Sequence, residues 1–285
     1  MLSNVSRGGV FLGSLDSIDP ARIVIVGAPM DYTSCYRAGS RFGPEAIRNV
    51  SDVLETYSPA LDRDLSEVDF FDAGDISLPF GNVEESLKRI GTVVKEIIGS
   101  GRVPVVLGGE HLVTLPVVQE VSRYYEDLYV FHFDAHADLR TAFEGERLSH
   151  ATVIRTIAEI IGGSKIFQFG IRSGTRDEFC YAKENTNMMP GSVLEAVKSS
   201  LDVIGKSPVY ITIDIDVLDP AFAPGTGTPE PGGCSSSELL ESIYALKDLN
   251  IVGFDIVEVN PAYDNSERTQ IIGAKLLREL LLIVF

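Results

Sequence analysis

The sequence predicts an α/β fold in which a parallel sheet carries helices on both faces. Seven short apolar runs rich in β-branched residues recur along the chain, and they do not alternate cleanly with polar residues, as expected for strands covered on both sides. Longer amphipathic segments typical of helices lie between these runs. No linker, repeat or low-complexity tract divides the chain, so residues 1–285 are interpreted as a single domain.

The predicted strands determine where the helices and loops lie. In chain order they are RIVIVG at 22, VDFFD at 68, RVPVVLG at 102, LYVFHFD at 128, KIFQFG at 165, PVYITID at 208 and IVGFDIVEV at 251. The predicted helices are the segments NVEESLKRIGTVVKEIIG, SHATVIRTIAEIIGG and SSSELLESIYALKDL, and residues 267–282. Two of these helices open on a capping pattern, with Asn82 three residues before Glu85 and Ser235 three residues before Glu238.

Composition excludes several classes of partner. The 24 basic and 41 acidic side chains give a net charge of -17, which repels nucleic acid and anionic membranes and favours cationic ligands. The three cysteines, Cys35, Cys180 and Cys234, form no CxxC pair and suggest neither a disulfide framework nor a zinc ribbon. The start MLSNVSRGGV lacks the apolar stretch of a signal peptide, so we expect a cytoplasmic protein. The apolar end LLRELLLIVF is shorter than the roughly 20 residues of a membrane span, and we expect it to be a packed terminal element.

Charged residues cluster directly after four predicted strands, at the edge where open parallel sheets bind ligands. The clusters comprise Glu110 and His111 in GGEH, Asp134, His136 and Asp138 in DAHAD, Asp214, Asp216 and Asp219 in DIDVLDP, and Asp255 and Glu258 in DIVEV. Some of these residues fit ordinary roles better. Asp219 fits a turn, Glu110 a solvated or capping acid, and Asp255 an acid outside a ligand set. His132, one step deeper in its strand, fits a packed histidine or the hydrogen-bond partner of a ligand.

The stretch FHFDAHADLR contains two of the four histidines in the chain. Asp134, His136 and Asp138 follow one another at every second position, so they share one face of an extended backbone. Such charges are too costly to bury unless cations compensate them. The four carboxylates with metal-ligand spacing, Asp134, Asp138, Asp214 and Asp216, balance two divalent ions. A set of oxygen ligands with some imidazole and no thiolate suits Mn²⁺, with Fe, Co and Zn as alternatives. Two such ions roughly 3.5–4 Å apart can share and activate a water.

These motifs resemble those of the ureohydrolases, the arginase and agmatinase family. GGEH, DAHAD, ITIDIDVLDPAFAPGTGTPEPGG and DIVEVNP look like its four signatures, and the resemblance begins near VGAPMD and RAGSRFGPEAIR. It implies a three-layer α/β/α fold with a parallel sheet of about eight strands, two manganese ions, and hydrolysis of guanidino groups to urea. It also implies a homotrimer or homohexamer.

The resemblance assigns roles to eight residues. His111 and Asp138 would be ligands of the first ion, and His136 and Asp216 of the second, with Asp134 and Asp214 bridging both. His150, in RLSHAT, matches the catalytic histidine of the family. Glu258 matches the acid that holds the guanidinium, which a carboxylate can pair through two parallel hydrogen bonds.

The expected substrate is agmatine, which would be cleaved to putrescine and urea in polyamine biosynthesis. Arginases hold the substrate carboxylate with Ser and Asn groups in the loop after DAHxD. The corresponding loop here, LRTAFEGERLSH, has no Asn and carries Glu144 and Glu146. An acidic loop favours agmatine, a dication, over arginine. Three alternatives remain: hydrolysis of another guanidino compound such as arginine or guanidinobutyrate, a metal-dependent deacetylase or amidase, and a non-enzymatic metal-binding assembly protein.

Overall fold

The computed structural model describes residues 2–285 and contains a large, mostly parallel sheet. The strands are β1 Val5–Ser6, β2 Ile23–Ala28, β3 Tyr57–Ser58, β4 Arg63–Asp64, β5 Phe70–Ile76, β6 Val103–Gly108, β7 Tyr129–Phe133, β8 Ile166–Phe169, β9 Asn187–Met189, β10 Pro208–Asp214 and β11 Asn250–Val257. Nine of them form the main sheet, in the order β1-β5-β2-β6-β11-β10-β7-β8-β9. Only β1 runs antiparallel among these nine strands, so eight parallel strands remain, as the resemblance to the ureohydrolases implies.

Helices cover both faces of the sheet. They are α1 Gly43–Asn49, α2 Val83–Gly99, α3 Thr114–Tyr124, α4 Val153–Ile161, α5 Arg176–Asn185, α6 Val193–Ile204, α7 Ser236–Ala245 and α8 Arg268–Val284. The apolar residues of α2, α3 and α4 form one core with one face of the sheet, and those of α1, α6, α7 and α8 form a second core with the other face. The three-layer α/β/α arrangement is therefore confirmed.

All seven predicted strands and all four predicted helices are present. The capping predictions hold in detail: Asn82 Oδ1 accepts a hydrogen bond from the Glu85 N–H at 3.1 Å, and Ser235 Oγ accepts one from the Glu238 N–H at 3.1 Å. The apolar end of the chain packs as α8, whose leucines are largely buried. Among the described residues, no helix has the length and apolar character required to cross a bilayer.

The four strands that precede the charged clusters lie side by side in the middle of the sheet, in the order β6-β11-β10-β7. Because they are parallel, their carboxyl ends meet at one edge. A glycine lets the loop after β6 approach its neighbour there: a Cβ on Gly109 would lie 1.9 Å from the Met30 carbonyl oxygen, which accepts the Glu110 N–H at 2.7 Å. The topology thus brings residues far apart in the sequence to one place.

Candidate metal centre and catalytic cleft

The first group at this edge surrounds His111. Its Nδ1 atom lies 3.0 Å from Asp134 Oδ2, 3.2 Å from Asp138 Oδ2 and 3.4 Å from Asp214 Oδ2. His111 belongs to a short turn after β6, Asp134 and Asp138 follow β7, and Asp214 ends β10. One imidazole nitrogen and three carboxylate oxygens from the ends of β6, β7 and β10 therefore converge on a single point.

A second group surrounds His136, whose Nδ1 atom lies 3.0 Å from Asp216 Oδ2 and 3.5 Å from Asp134 Oδ1. Asp134 belongs to both groups, one oxygen in each. Backbone hydrogen bonds hold the carboxylates in place: Asp134 Oδ1 accepts from the His136 N–H, and Asp214 Oδ1 accepts from the Asp216 N–H. The structure thus brings all six sequence-predicted ligand residues together.

The chemistry of this cluster fits divalent cations. His111 Nδ1 and Asp216 Oδ2 are buried and lack a hydrogen-bond partner among residues 2–285. Burial and the nearby Asp216 and Asp134 charges raise the pKa of Asp214 well above its usual value. Burial and the Asp134 charge raise the pKa of Asp138 to about 7. Two bound divalent ions would supply the missing positive charge and favour ionised carboxylates, as expected for a site built for metal.

A polar row inside the sheet supports the cluster from below. Strand register places Thr212 of β10 opposite Asp255 of β11 on one side and opposite His132 of β7 on the other, and His132 in turn lies opposite Gln168 of β8. All four side chains are fully buried. Buried polar groups need partners, and the row supplies them.

The row determines which nitrogen of His111 carries the proton. Asp255 accepts hydrogen bonds from the Thr212 hydroxyl at 2.6 Å and the Tyr210 hydroxyl at 2.7 Å. The single hydroxyl hydrogen of Thr212 is thereby used, so Thr212 Oγ1 accepts from His111 Nε2, 3.0 Å away. Nδ1 is left as a bare acceptor aimed at the carboxylates, the form in which a neutral histidine binds a metal.

His132 stabilises the cluster in a similar way. Gln168 Oε1 accepts from the Thr186 hydroxyl at 2.9 Å, and Gln168 Nε2 donates to the Ala137 carbonyl at 3.0 Å and contacts His132 Nδ1 at 3.1 Å. His132 therefore accepts at Nδ1 and donates from Nε2 to Asp134 Oδ2, 2.8 Å away. The structure agrees with the sequence prediction of a packed histidine that bonds to a ligand.

A cleft of about 330 Å³ opens over the cluster, and both predicted catalytic residues line it. Glu258 directly follows β11 and accepts the His111 N–H through Oε1 at 2.9 Å. Burial and the negative charge of Glu110 raise the pKa of Glu258 to about 8, so the site favours a cation beside this carboxyl. Burial lowers the pKa of His150 to about 4, so this imidazole is neutral at neutral pH.

Two residues of the site have left-handed backbones, which are rare for residues other than glycine. Asp138 has φ of 53° and Glu258 has φ of 62°. Such conformations cost of order 1–3 kcal/mol and persist where surrounding structure imposes them, often at functional sites. In both residues the turn at the end of a strand directs a carboxylate into the cleft.

The loop after DAHAD forms the outer part of the cleft. Arg140 lies 3.6 Å from the buried Glu178 and stacks over the Phe143 ring at 5.0 Å. The predicted specificity residues Glu144 and Glu146 do not line the inner cleft. They line an adjoining outer cleft of about 770 Å³, which the inner cleft meets at Cys35 and Phe143.

Two predictions about ordinary roles have opposite outcomes. Asp219 is a turn residue as expected, accepting the Ala221 N–H at 2.9 Å and the Gly232 N–H at 2.7 Å. The prediction for Glu110 is wrong, because its side chain is neither solvated nor a cap. It is fully buried and accepts both the N–H and the hydroxyl of Thr33.

Several supporting residues were not predicted from the sequence. Thr212 had a weak signal, because it interrupts an apolar strand at the same parity as Asp214 and Asp216. Thr33, Arg140 and Gln168 had none, since single polar residues in a loop or strand are common.

Comparison with known proteins agrees with this geometry. The sequence profile of the Arginase family matches residues 21–283. The chain belongs to the arginase family. It is 52% identical to an agmatinase of Bacillus anthracis over 278 residues, 96% of each chain. It is also 52% identical to an agmatinase of Bacillus subtilis strain 168, again over 96% of each chain.

The fold of this arginase-family chain also matches that of a solved structure. A crystal structure of a putative agmatinase from Clostridium difficile superposes with a TM-score of 0.91 at 43% identity, covering 94% of this chain and 98% of the other. The overall fold of this chain is thus that of the arginase family.

Proposed function

We propose that this protein is a dinuclear manganese hydrolase that cleaves agmatine to putrescine and urea. The observation that carries the proposal is the convergence of six side chains suited to bind metal beneath a cleft lined by the buried Glu258. The high identity to curated agmatinases over nearly the whole chain supports the substrate.

The proposed ligands follow from the two groups of side chains. His111 and Asp138 would hold the first ion and His136 and Asp216 the second, while Asp134 and Asp214 would bridge them. Two bound Mn²⁺ ions would lower the pKa of a shared water and make it a nucleophile near neutral pH. The donor set of imidazole nitrogen and carboxylate oxygen, without thiolate, suits Mn²⁺.

The residues of the cleft would place the guanidinium for attack. Glu258 is a buried carboxyl whose ionised form needs a cation, and a guanidinium supplies one through two parallel hydrogen bonds. Holding the reacting carbon in this way makes the attack effectively intramolecular. His150, neutral and lining the same cleft, would move a proton during release of the amine product.

The outer cleft favours agmatine over its carboxylated analogues. Glu84, Glu144 and Glu146 line it, and their negative charges would attract the second cationic end of agmatine. Guanidinobutyrate carries a carboxylate at the corresponding end, which the same charges would repel. Arginine carries both an ammonium and a carboxylate there, so this end has no net charge for the glutamates to attract. Net charge of -17 acts in the same direction over longer distances.

A substrate panel tests the proposal. Mn²⁺-loaded protein is incubated with agmatine, arginine and guanidinobutyrate, and urea release is measured. We expect kcat/KM for agmatine to exceed both others by at least about tenfold, which corresponds to about 1.4 kcal/mol of discrimination. Asp134→Asn is the control for the metal centre and should lose both bound metal and activity. Faster hydrolysis of arginine, or ammonia instead of urea as the product, would contradict the proposal.

We further propose that the enzyme acts in the cytoplasm, in polyamine biosynthesis, as a homotrimer or homohexamer. Three free cysteines fit a reducing compartment. Light scattering on the purified protein checks the assembly, and a monomer at working concentration would contradict that part.

A further inference from the structure

The hydrogen-bonding groups around His150 lie near only one of its two ring nitrogens, Nδ1. Nδ1 lies 3.4 Å from Thr33 Oγ1 and 3.3 Å from Ser149 Oγ, and the Phe143 ring packs edge-on against the imidazole. Nε2 has no hydrogen-bond partner among residues 2–285, and His150 lines the cleft. Which nitrogen carries the proton is therefore decided by the groups around Nδ1.

Thr33 is the residue that decides it, because its hydroxyl has no hydrogen to spare. Thr33 Oγ1 donates to Glu110 Oε2 at 2.9 Å, and the same carboxylate oxygen accepts the Thr33 N–H at 2.8 Å. The Thr33 oxygen in turn accepts the backbone N–H of His150 at 3.0 Å. A hydroxyl provides one donor and two acceptor sites. One acceptor site thus remains, and it faces His150 Nδ1.

We infer that Thr33, held by the buried Glu110, is a positioning residue that keeps the proton of neutral His150 on Nδ1 and leaves Nε2 as a proton acceptor at the cleft. If Nδ1 carried no proton, its lone pair would face a lone pair of Thr33 Oγ1, which is unfavourable. Glu110 does not line the inner cleft. Its burial is explained if its task is to orient the Thr33 hydroxyl.

Ser149 offers a competing arrangement. Its Oγ accepts the Ala151 N–H at 3.3 Å but keeps a free hydrogen, which it could donate to Nδ1 and so place the proton on Nε2. The two arrangements make opposite predictions for substitutions at Thr33 and Ser149. If Thr33 decides, Ser149→Ala leaves the proton on Nδ1. If Ser149 decides, Ser149→Ala moves it.

The direct test is the tautomer of His150 by ¹⁵N NMR of full-length, histidine-labelled protein at neutral pH, metal-free and with diamagnetic Mg²⁺. The chain has four histidines, and the loss of one signal set in His150→Asn assigns His150. We expect a protonated Nδ1 and a bare Nε2 in the wild type and in Ser149→Ala and Thr33→Ser. Thr33→Val, which removes the hydroxyl and keeps the shape, should populate the form with the proton on Nε2. A wild type protonated on Nε2, or a Thr33→Val variant with an unchanged tautomer, would overturn the inference.

Kinetics provides a second readout, which rests on the proposed function. In Mn²⁺-loaded enzyme, Thr33→Val should lower kcat for agmatine by about 10²-fold, the low end of proton-transfer catalysis, with KM within about twofold. Thr33→Ser should restore most of kcat. A rise in KM at constant kcat would count against a role through His150. If no guanidine releases urea, the proposed function fails while the NMR result still decides the tautomer.

Discussion

The hydroxyl of Thr212 should control metal affinity without touching the metal. Its oxygen accepts from His111 Nε2 at 3.0 Å and donates to Asp255 Oδ1 at 2.6 Å, in the interior of β10. Thr212→Val replaces a hydroxyl with a methyl group of similar size, and both residues are β-branched and suited to a strand. The fold should therefore persist while the orientation of the His111 ring loses its support.

The magnitude follows from what the substitution leaves unpaired. His111 Nε2 loses its acceptor and Asp255 Oδ1 loses its donor, both in a fully buried environment. Each unsatisfied buried group costs about 1–3 kcal/mol. Loss of the outer hydrogen-bond partner of a metal-binding histidine lowers metal affinity by about 10–100-fold. That factor corresponds to about 1.4–2.8 kcal/mol of binding free energy.

Calorimetric titration of metal-free protein with Mn²⁺ measures this effect, with activity at each metal concentration as a second readout. Thr212→Ser keeps the hydroxyl and is the matched control, so its Mn²⁺ affinity should stay close to that of the wild type. Equal Mn²⁺ affinity in the valine variant and the wild type would show that Thr212 does not orient His111, and would refute the reasoning.

Two other predictions test the cleft and the fold. Glu258→Gln should lower kcat/KM for agmatine by about 10–150-fold, because a hydrogen bond to a charged group contributes about 1.5–3 kcal/mol. Elemental analysis should find an unchanged metal content, which separates this loss from damage to the metal centre. Arg48→Met should lower the free energy of unfolding by about 3–5 kcal/mol, because it leaves buried Asp72 without the guanidinium that now lies 2.8 Å away. Urea denaturation of both proteins measures the free energy of unfolding. A loss below about 1 kcal/mol would show that Arg48 does not compensate the buried charge of Asp72.

The metal cluster was accessible to sequence reasoning because its signal is local. Charges at every second position directly after an apolar run have few structural explanations, as with Asp134, His136 and Asp138. His132 and Asp255 were predicted as residues that support the ligands, but the contacts of the polar row were not accessible, since Thr212, Asp255 and Gln168 meet only through the register between strands. A single sequence does not encode that register in its spacing.

The missed elements have physical reasons as well. Strands β1 and β9 have two and three residues, too few to show a period. Helix α3 contains Pro116, which suggests a helix break, but the residue falls in the first turn, where its missing N–H is not needed. Helix α5 is polar on most sides, so it lacks an apolar stripe. It begins instead at a capping box between Thr175 and Glu178.

Two of the buried acids outside the ligand set, Asp255 and Glu110, have a common explanation. Asp255 acts through the Thr212 hydroxyl on Nε2 of His111, and Glu110 acts through the Thr33 hydroxyl on Nδ1 of His150. In each case a carboxyl oxygen accepts the single hydroxyl hydrogen, which leaves the hydroxyl oxygen to accept from the imidazole. The first arrangement leaves Nδ1 bare for a metal, and the second leaves Nε2 bare for a proton. Burying an acid is costly, and a solvated or capping role would not require it. Control of a histidine tautomer does require it, because water would otherwise supply alternative partners to the hydroxyl.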